Sequence, residues 1–139
     1  VCSSDLYCCS TDTHGFEWGQ NNTTWIGGFA GATFTVNTLV ADTNFHIVTL
    51  WYDGSQTGNA NRLKVRLDGV PTTLTFTGTV AATTSGATKY FYGGATGTSA
   101  SNQSNFWIGD IGDLFIWTRT LTSPELFAAE DYLMNYWAV

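Results

Sequence analysis

The sequence predicts an all-β domain, a sandwich or barrel of short strands, closed by one α-helix near its C-terminus. Three observations carry that expectation. Extended segments with alternating apolar side chains recur between turn residues from about position 15 to position 118, which is the signature of many short strands. Charged residues are only 12% of the chain, about half the usual share. Thr, Gly, Ser and Asn supply the polarity instead, a mixture that suits pleated strands and tight turns and suits helices poorly. From Ser123 onward the apolar period changes to a helical one.

The chain has 139 residues, which fits one domain. A hydrophobic share of 43% and an aromatic share of 15% are enough for a core without disulfides. Gly15 to Gly19 and Thr23 to Phe29 read as the first strands, split by Gln20-Asn21-Asn22. Ala32 to Val40 follows, with Phe34, Val36 and Leu39 as inward positions. Phe45 to Tyr52 is strongly apolar and ends in Asp53-Gly54, a hairpin-turn dipeptide; the polar stretch Ser55 to Asn61 reads as a flexible loop. Arg62 to Leu67 is the clearest strand, because Leu63, Val65 and Leu67 alternate with Arg62, Lys64 and Arg66 and so define one buried and one wet face. Asp68-Gly69 turns it toward a partner strand near Thr73 to Thr77. Thr79 to Thr88 and Ala95 to Asn105 read as polar loops around a short strand, Lys89 to Tyr92. Phe106 to Thr118 supplies one or two final strands, bent at Gly109 and Gly112.

The helix, expected at about 123–136, has a well-marked start. Ser123 can cap the free amides, or Thr122 with Glu125 can form a capping box; Pro124 fits the first turn. Leu126, Ala129, Leu133 and Trp137 recur at helical spacing, so one face should pack on the sheets.

Net charge is −6, and the basic residues are Arg62, Lys64, Arg66, Lys89 and Arg119. That is too little positive charge for a broad phosphate-binding surface, so nucleic acid is excluded as a partner. Anionic membrane surfaces are disfavoured for the same reason, and no apolar run reaches the ~18 residues of a membrane span. Cys2, Cys8 and Cys9 all lie in the first nine residues; they are read as unpaired thiols or a strained vicinal disulfide at Cys8-Cys9, and no His or Cys pair has zinc-site spacing. Val1 to Leu6 resembles the translated end of a sequencing adapter. Residues 1–6 are therefore expected to be a non-native leader on a single domain spanning 7–139, whose N-terminal part is truncated and leaves a sheet edge open.

Three stretches carry a family resemblance. Phe45-His46-Ile47-Val48-Thr49-Leu50-Trp51-Tyr52-Asp53-Gly54 resembles a strand of laminin-G-like and concanavalin A-like domains, and Leu63 to Gly69 resembles their next hairpin. Gly109 to Trp117, followed by Leu121-Thr122-Ser123-Pro124-Glu125, is similar to their closing strand and helix start, and to the corresponding stretch of pentraxins. The resemblance covers roughly residues 45–137. It implies an antiparallel two-sheet jelly-roll sandwich that binds a glycan or glycoprotein, as a module of a larger extracellular, cell-surface or virion protein. A structural or assembly domain that packs on neighbouring domains of the same polypeptide is the alternative, and a degenerate glycoside hydrolase a third.

Chemistry is sparse. The Glu-x-Asp-x-x-Glu strand of related glucanases has no counterpart, and the carboxylates of Asp110 and Asp113 fall on opposite faces of a regular strand. No nucleophile-elbow Gly-x-Ser-x-Gly occurs, and His46 reads as a half-buried structural residue, so no catalytic residue is assigned. Calcium is the metal the resemblance favours; Asp53, Asp110 and Asp113 are weak candidate donors, and Asp53, like Asp68, precedes glycine and is equally explained as a turn residue. Candidate ligand contacts are aromatics pointing away from the core, Trp51, Phe91 and Phe115. Trp18, Trp25, Asn102 and Asn105 are secondary. The competing explanation is that the C-terminal helix or missing N-terminal strands cover that face. Trp107, Trp117 and Trp137 are expected in or near the core.

Overall fold

The computed structural model describes residues 3–8, 16–21, 24–29, 31–40, 44–83, 96–99, 102–104 and 109–139. They form two antiparallel sheets, a small two-stranded ladder and one long helix. Strands β1 (Ser3–Cys8), β2 (Phe16–Asn21), β3 (Thr24–Phe29) and β4 (Ala32–Val40) run up and down in sequence order. The chain then leaves this sheet for β5 (Val48–Tyr52), the single turn α1 (Asn59–Arg62), β6 (Leu63–Leu67) and β7 (Val70–Pro71), which make the second sheet. It returns as β8 (Leu74–Gly78), which pairs with β4 and completes the order β1-β2-β3-β4-β8. Strands β9 (Thr96–Ser99) and β10 (Asn102–Ser104) form the small ladder, and α2 (Ser123–Trp137) is the C-terminal helix.

The core lies between the two larger sheets, and the register explains its shape. Trp18, Gly27, Phe34 and Phe76 stand in one row across β2, β3, β4 and β8. Strands two apart in a sheet are separated by about 9–10 Å. The Trp18 and Phe34 rings nevertheless approach to 5.9 Å, because Gly27 places no side chain between them. Trp25 stacks on Trp18 at 5.2 Å, and Phe34 reaches Phe76 at 6.4 Å. The other sheet contributes Leu63 and Val65, each 1% exposed, and the segment after β8 contributes Val80. Phe29 meets Tyr52 at 4.5 Å, a ring contact between β3 and β5 that ties one sheet to the other.

Polar groups fix the edges of this arrangement. Asp68 and Gly69 both have positive φ, 48° and 75°, and Leu67 pairs with Val70. This is the two-residue hairpin whose twist matches its strands, and glycine is needed at its second position. The expectation that Asp68-Gly69 leads to a partner near Thr73 to Thr77 is corrected: the partner is the short β7, and β8 belongs to the other sheet. Pro71 cannot donate a ladder hydrogen bond, which suits a strand that stops after two residues at an edge.

The loop expected to be flexible, Ser55 to Asn61, is instead clamped. Asn59 uses its side-chain amide as a backbone mimic, donating to the Gly78 carbonyl and accepting the Val80 amide, both at 2.9 Å. Arg62 donates to the carbonyls of Gln56 and Val80, each at 2.7 Å, and the Tyr52 hydroxyl donates to the Ala81 carbonyl at 2.8 Å. These bonds satisfy backbone groups that would otherwise be costly to bury beside Val80.

Two further corrections concern the second half of the chain. The stretch Ala95 to Asn105, expected as loop, contains β9 and β10; its Ser/Thr/Gly/Asn composition has no apolar alternation, so backbone pairing alone defines it. Conversely, residues 109–118 hold no strand. Phe115 meets Tyr132 of α2, and Trp117 meets Phe115. The strand expected at Lys89 to Tyr92 lies outside the described residues. Since Phe34 is 2% exposed and central, Phe34→Ala should cost about 3–5 kcal/mol, measured as a lower urea midpoint with an unchanged slope.

Candidate functional site

The site is built on α2, and α2 is positioned from both ends. Thr122 is its N-cap in a capping box with Glu125, and Pro124 occupies the first turn. The Thr122 amide donates to the Glu125 carboxylate at 2.9 Å, and Arg119 grips the same carboxylate with two nitrogens, at 2.9 and 2.7 Å. At the other end Ala138 adopts the left-handed conformation, and the Val139 amide donates to the Met134 carbonyl.

The stripe Leu126, Ala129, Leu133 and Trp137 is half-buried, as its spacing predicts. The most buried helix residue, however, is charged: Glu130 is 3% exposed. Arg66 projects from the outer face of β6 and donates its Nε to both Glu130 oxygens at 2.8 and 3.0 Å. A second guanidinium nitrogen donates to the Gly69 carbonyl, and the Phe127 ring lies 4.9 Å from the guanidinium carbon. One cation is thus seated on a ring, a carboxylate and a carbonyl together, and this seat joins α2 to the β6–β7 hairpin. Trp137 closes the far end. It stacks on Phe45 at 5.0 Å, and its indole N–H donates to Asp113 at 3.2 Å. Gly112 passes so close that an added Cβ would sit 2.7 Å from the indole ring.

What α2 leaves outward is a continuous row of rings. Trp117 meets Phe115 at 5.8 Å, Phe115 meets Tyr132 at 6.3 Å, and Tyr132 meets Tyr136 at 6.1 Å. Tyr136 then contacts Trp137 at 5.3 Å. Tyr132 is 56% exposed and Tyr136 64%, with Phe115 and Trp117 also exposed. Contiguous exposed apolar surface of this kind marks a contact surface. Of the three outward aromatics expected, Phe115 stands in this row. Trp51 is half-buried on the outer face of β5 under the Lys64 ammonium, 4.8 Å from the ring centre, and Phe91 lies outside the described residues.

The secondary candidates separate in the same way. Trp18 and Trp25 are core residues, 4% and 8% exposed, and so offer no surface platform; Gly27 opens the room that takes them inward. Trp117, expected near the core, is exposed instead. Asn102 opens β10, and Asn105 lies outside the described residues. Tyr132 and Tyr136 were not among the expected contacts. Their signal was nonetheless present, since they sit four residues apart and one position off the buried stripe, where side chains share a neighbouring helix face.

Among the described residues the candidate donors Asp53 and Asp113 are each engaged elsewhere. Among the described residues no group of three or more His, Cys, Asp or Glu side chains converges. Asp53 accepts bonds from the Ser55 hydroxyl and amide and from Gln56; the Ser55 hydroxyl is the main reason its acidity lies on the strong side of the usual range. Asp113 is engaged by Trp137. His46, half-buried, pairs through Nδ1 with Asp68 at 2.8 Å, and the other Asp68 oxygen accepts the Ile47 amide. This pair braces the hairpin tip against the start of β5.

Two predictions follow from the helix contacts. Arg66→Ala leaves Glu130 a buried carboxylate without its cation, and should cost about 3–5 kcal/mol by chemical denaturation. Glu125 is held at a pKa of about 2, against an ordinary 4.5, first by Arg119 and then by Thr122. Its contribution to stability is therefore complete above the ordinary value and is lost as pH falls toward about 2. A carbon-detected NMR titration of Arg119→Ala should find the Glu125 inflection moved up toward its ordinary position; an unmoved inflection would refute the assignment to Arg119.

Comparison with protein-family models, with curated proteins and with solved structures found no match.

Proposed function

We propose that this chain is a non-catalytic carbohydrate- or glycoprotein-binding module, with a laminin-G-like jelly-roll sandwich, belonging to a larger extracellular, cell-surface or virion protein. The sugar docks on Phe115, Trp117, Tyr132 and Tyr136. The observation that supports this reading is the uncovered ring row itself. A pyranose has one face of C–H groups and an equator of hydroxyls. Aromatic rings cover the former without a competing hydrogen bond, and the Tyr hydroxyls and neighbouring polar groups orient the latter. Placing two of the rings one helical turn apart makes the platform rigid, so little is lost in ordering it on binding.

A second reading rests on Ile116, 67% exposed, and Leu114, 47% exposed, in the same segment as Phe115. Aliphatic side chains suit a protein neighbour better than a sugar, and favour an assembly domain that buries this face. Glycan-array binding of the full chain, with and without chelator, separates the two. Under the carbohydrate reading Tyr136→Ala weakens binding about tenfold, the equivalent of roughly 1.4 kcal/mol, and leaves thermal unfolding unchanged because Tyr136 is mostly exposed. No retained glycan, together with dimers that grow with protein concentration, would replace it with the assembly reading.

A further inference from the structure

We infer that the glycan taken by the ring row is cationic, an oligosaccharide carrying free ammonium groups. This rests on the carbohydrate reading above and narrows it to one ligand class. From residue 109 to the end, the chain carries Asp110, Asp113, Glu125, Glu130 and Asp131 against a single cation, Arg119. Arg119 is committed to Glu125 by two hydrogen bonds, and Glu130 is committed to Arg66. Among the described residues, the carboxylates with no cation partner in this part of the chain are Asp113, which accepts the Trp137 N–H, Asp131, which precedes Tyr132 in α2, and Asp110, in the same exposed segment as Asp113. A sugar bearing carboxylate or sulfate would meet this surface with repulsion, and a second copy of the chain, itself at −6, would set acid against acid. An ammonium sugar meets it with attraction, its C–H face on the rings and its charge toward the aspartates.

The molecule already performs this recognition on its own side chains. Phe127 and Glu130 of the same helix hold the Arg66 guanidinium by ring and carboxylate together, and Trp51 holds the Lys64 ammonium.

The test is calorimetric titration of the full chain with β-1,4-linked hexamers of glucosamine, of N-acetylglucosamine and of glucose, at mildly acidic pH and at two salt concentrations. The glucosamine hexamer should bind tightest, weaken at high salt, and weaken as mildly alkaline pH removes its charge. Asp113→Asn and Asp131→Asn should each reduce its affinity about two- to fivefold without altering affinity for the glucose hexamer. Asparagine at 113 keeps an acceptor for the Trp137 N–H, so the fold is retained. If the neutral hexamers bind as tightly as glucosamine, or if neither aspartate variant changes its affinity, the charge inference is overturned while the carbohydrate reading stands. If no hexamer binds, both fall.

Discussion

Everything in this molecule hangs on the two-residue alternation of β6. Its even-handed pattern sends Leu63 and Val65 into the space between the sheets and Lys64 and Arg66 to the other side. The inward pair closes the core against Phe34 and Val36 from the first sheet. The outward pair does separate work: Lys64 covers Trp51, and Arg66 seats the helix. A shift of one residue in this strand would bury two cations and expose two aliphatics at once, so the core and the helix seat share one register.

Because the helix is held by a buried ion pair, its placement is specific more than it is strongly stabilised. Bringing Arg66 and Glu130 out of water costs much of what their attraction returns. What the pair contributes is a single acceptable position, since any other rotation of α2 leaves one charge without its partner. That position decides which helix face turns outward, and therefore that Tyr132 and Tyr136 line up with Phe115.

Much of the fold was legible where side-chain pattern and backbone demand coincide. The alternation of β6, the inward Phe34 and Val36, the Asp68-Gly69 turn and the capping box at Thr122 all declare themselves in short stretches of sequence. What could not be read depends on partners distant in the chain. Nothing local says that β8 leaves the hairpin for β4, that Asn59 replaces a backbone group beside Val80, or that Trp18 and Trp25 turn inward over Gly27. The stretch Phe106 to Thr118 reads as one or two strands, yet residues 109–118 hold none and Phe115 packs beside Tyr132 of α2. Of the site, Phe115 was legible as an outward aromatic, and the two tyrosines were hidden only because attention to the buried stripe passes over the face beside it.

The Arg66–Glu130 bond joins positions 64 residues apart, and this has a kinetic meaning. Closing so long a loop is entropically slow compared with forming the β5–β6 and β6–β7 hairpins, whose strands are close in the chain. The β5–β6 and β6–β7 hairpins are therefore expected to form before the helix docks onto the Arg66 guanidinium. Until that step Leu126, Leu133 and Trp137 stay wet together with the outer rings, so the interval before docking is the time at which a folding chain is most exposed to sticking to its neighbours.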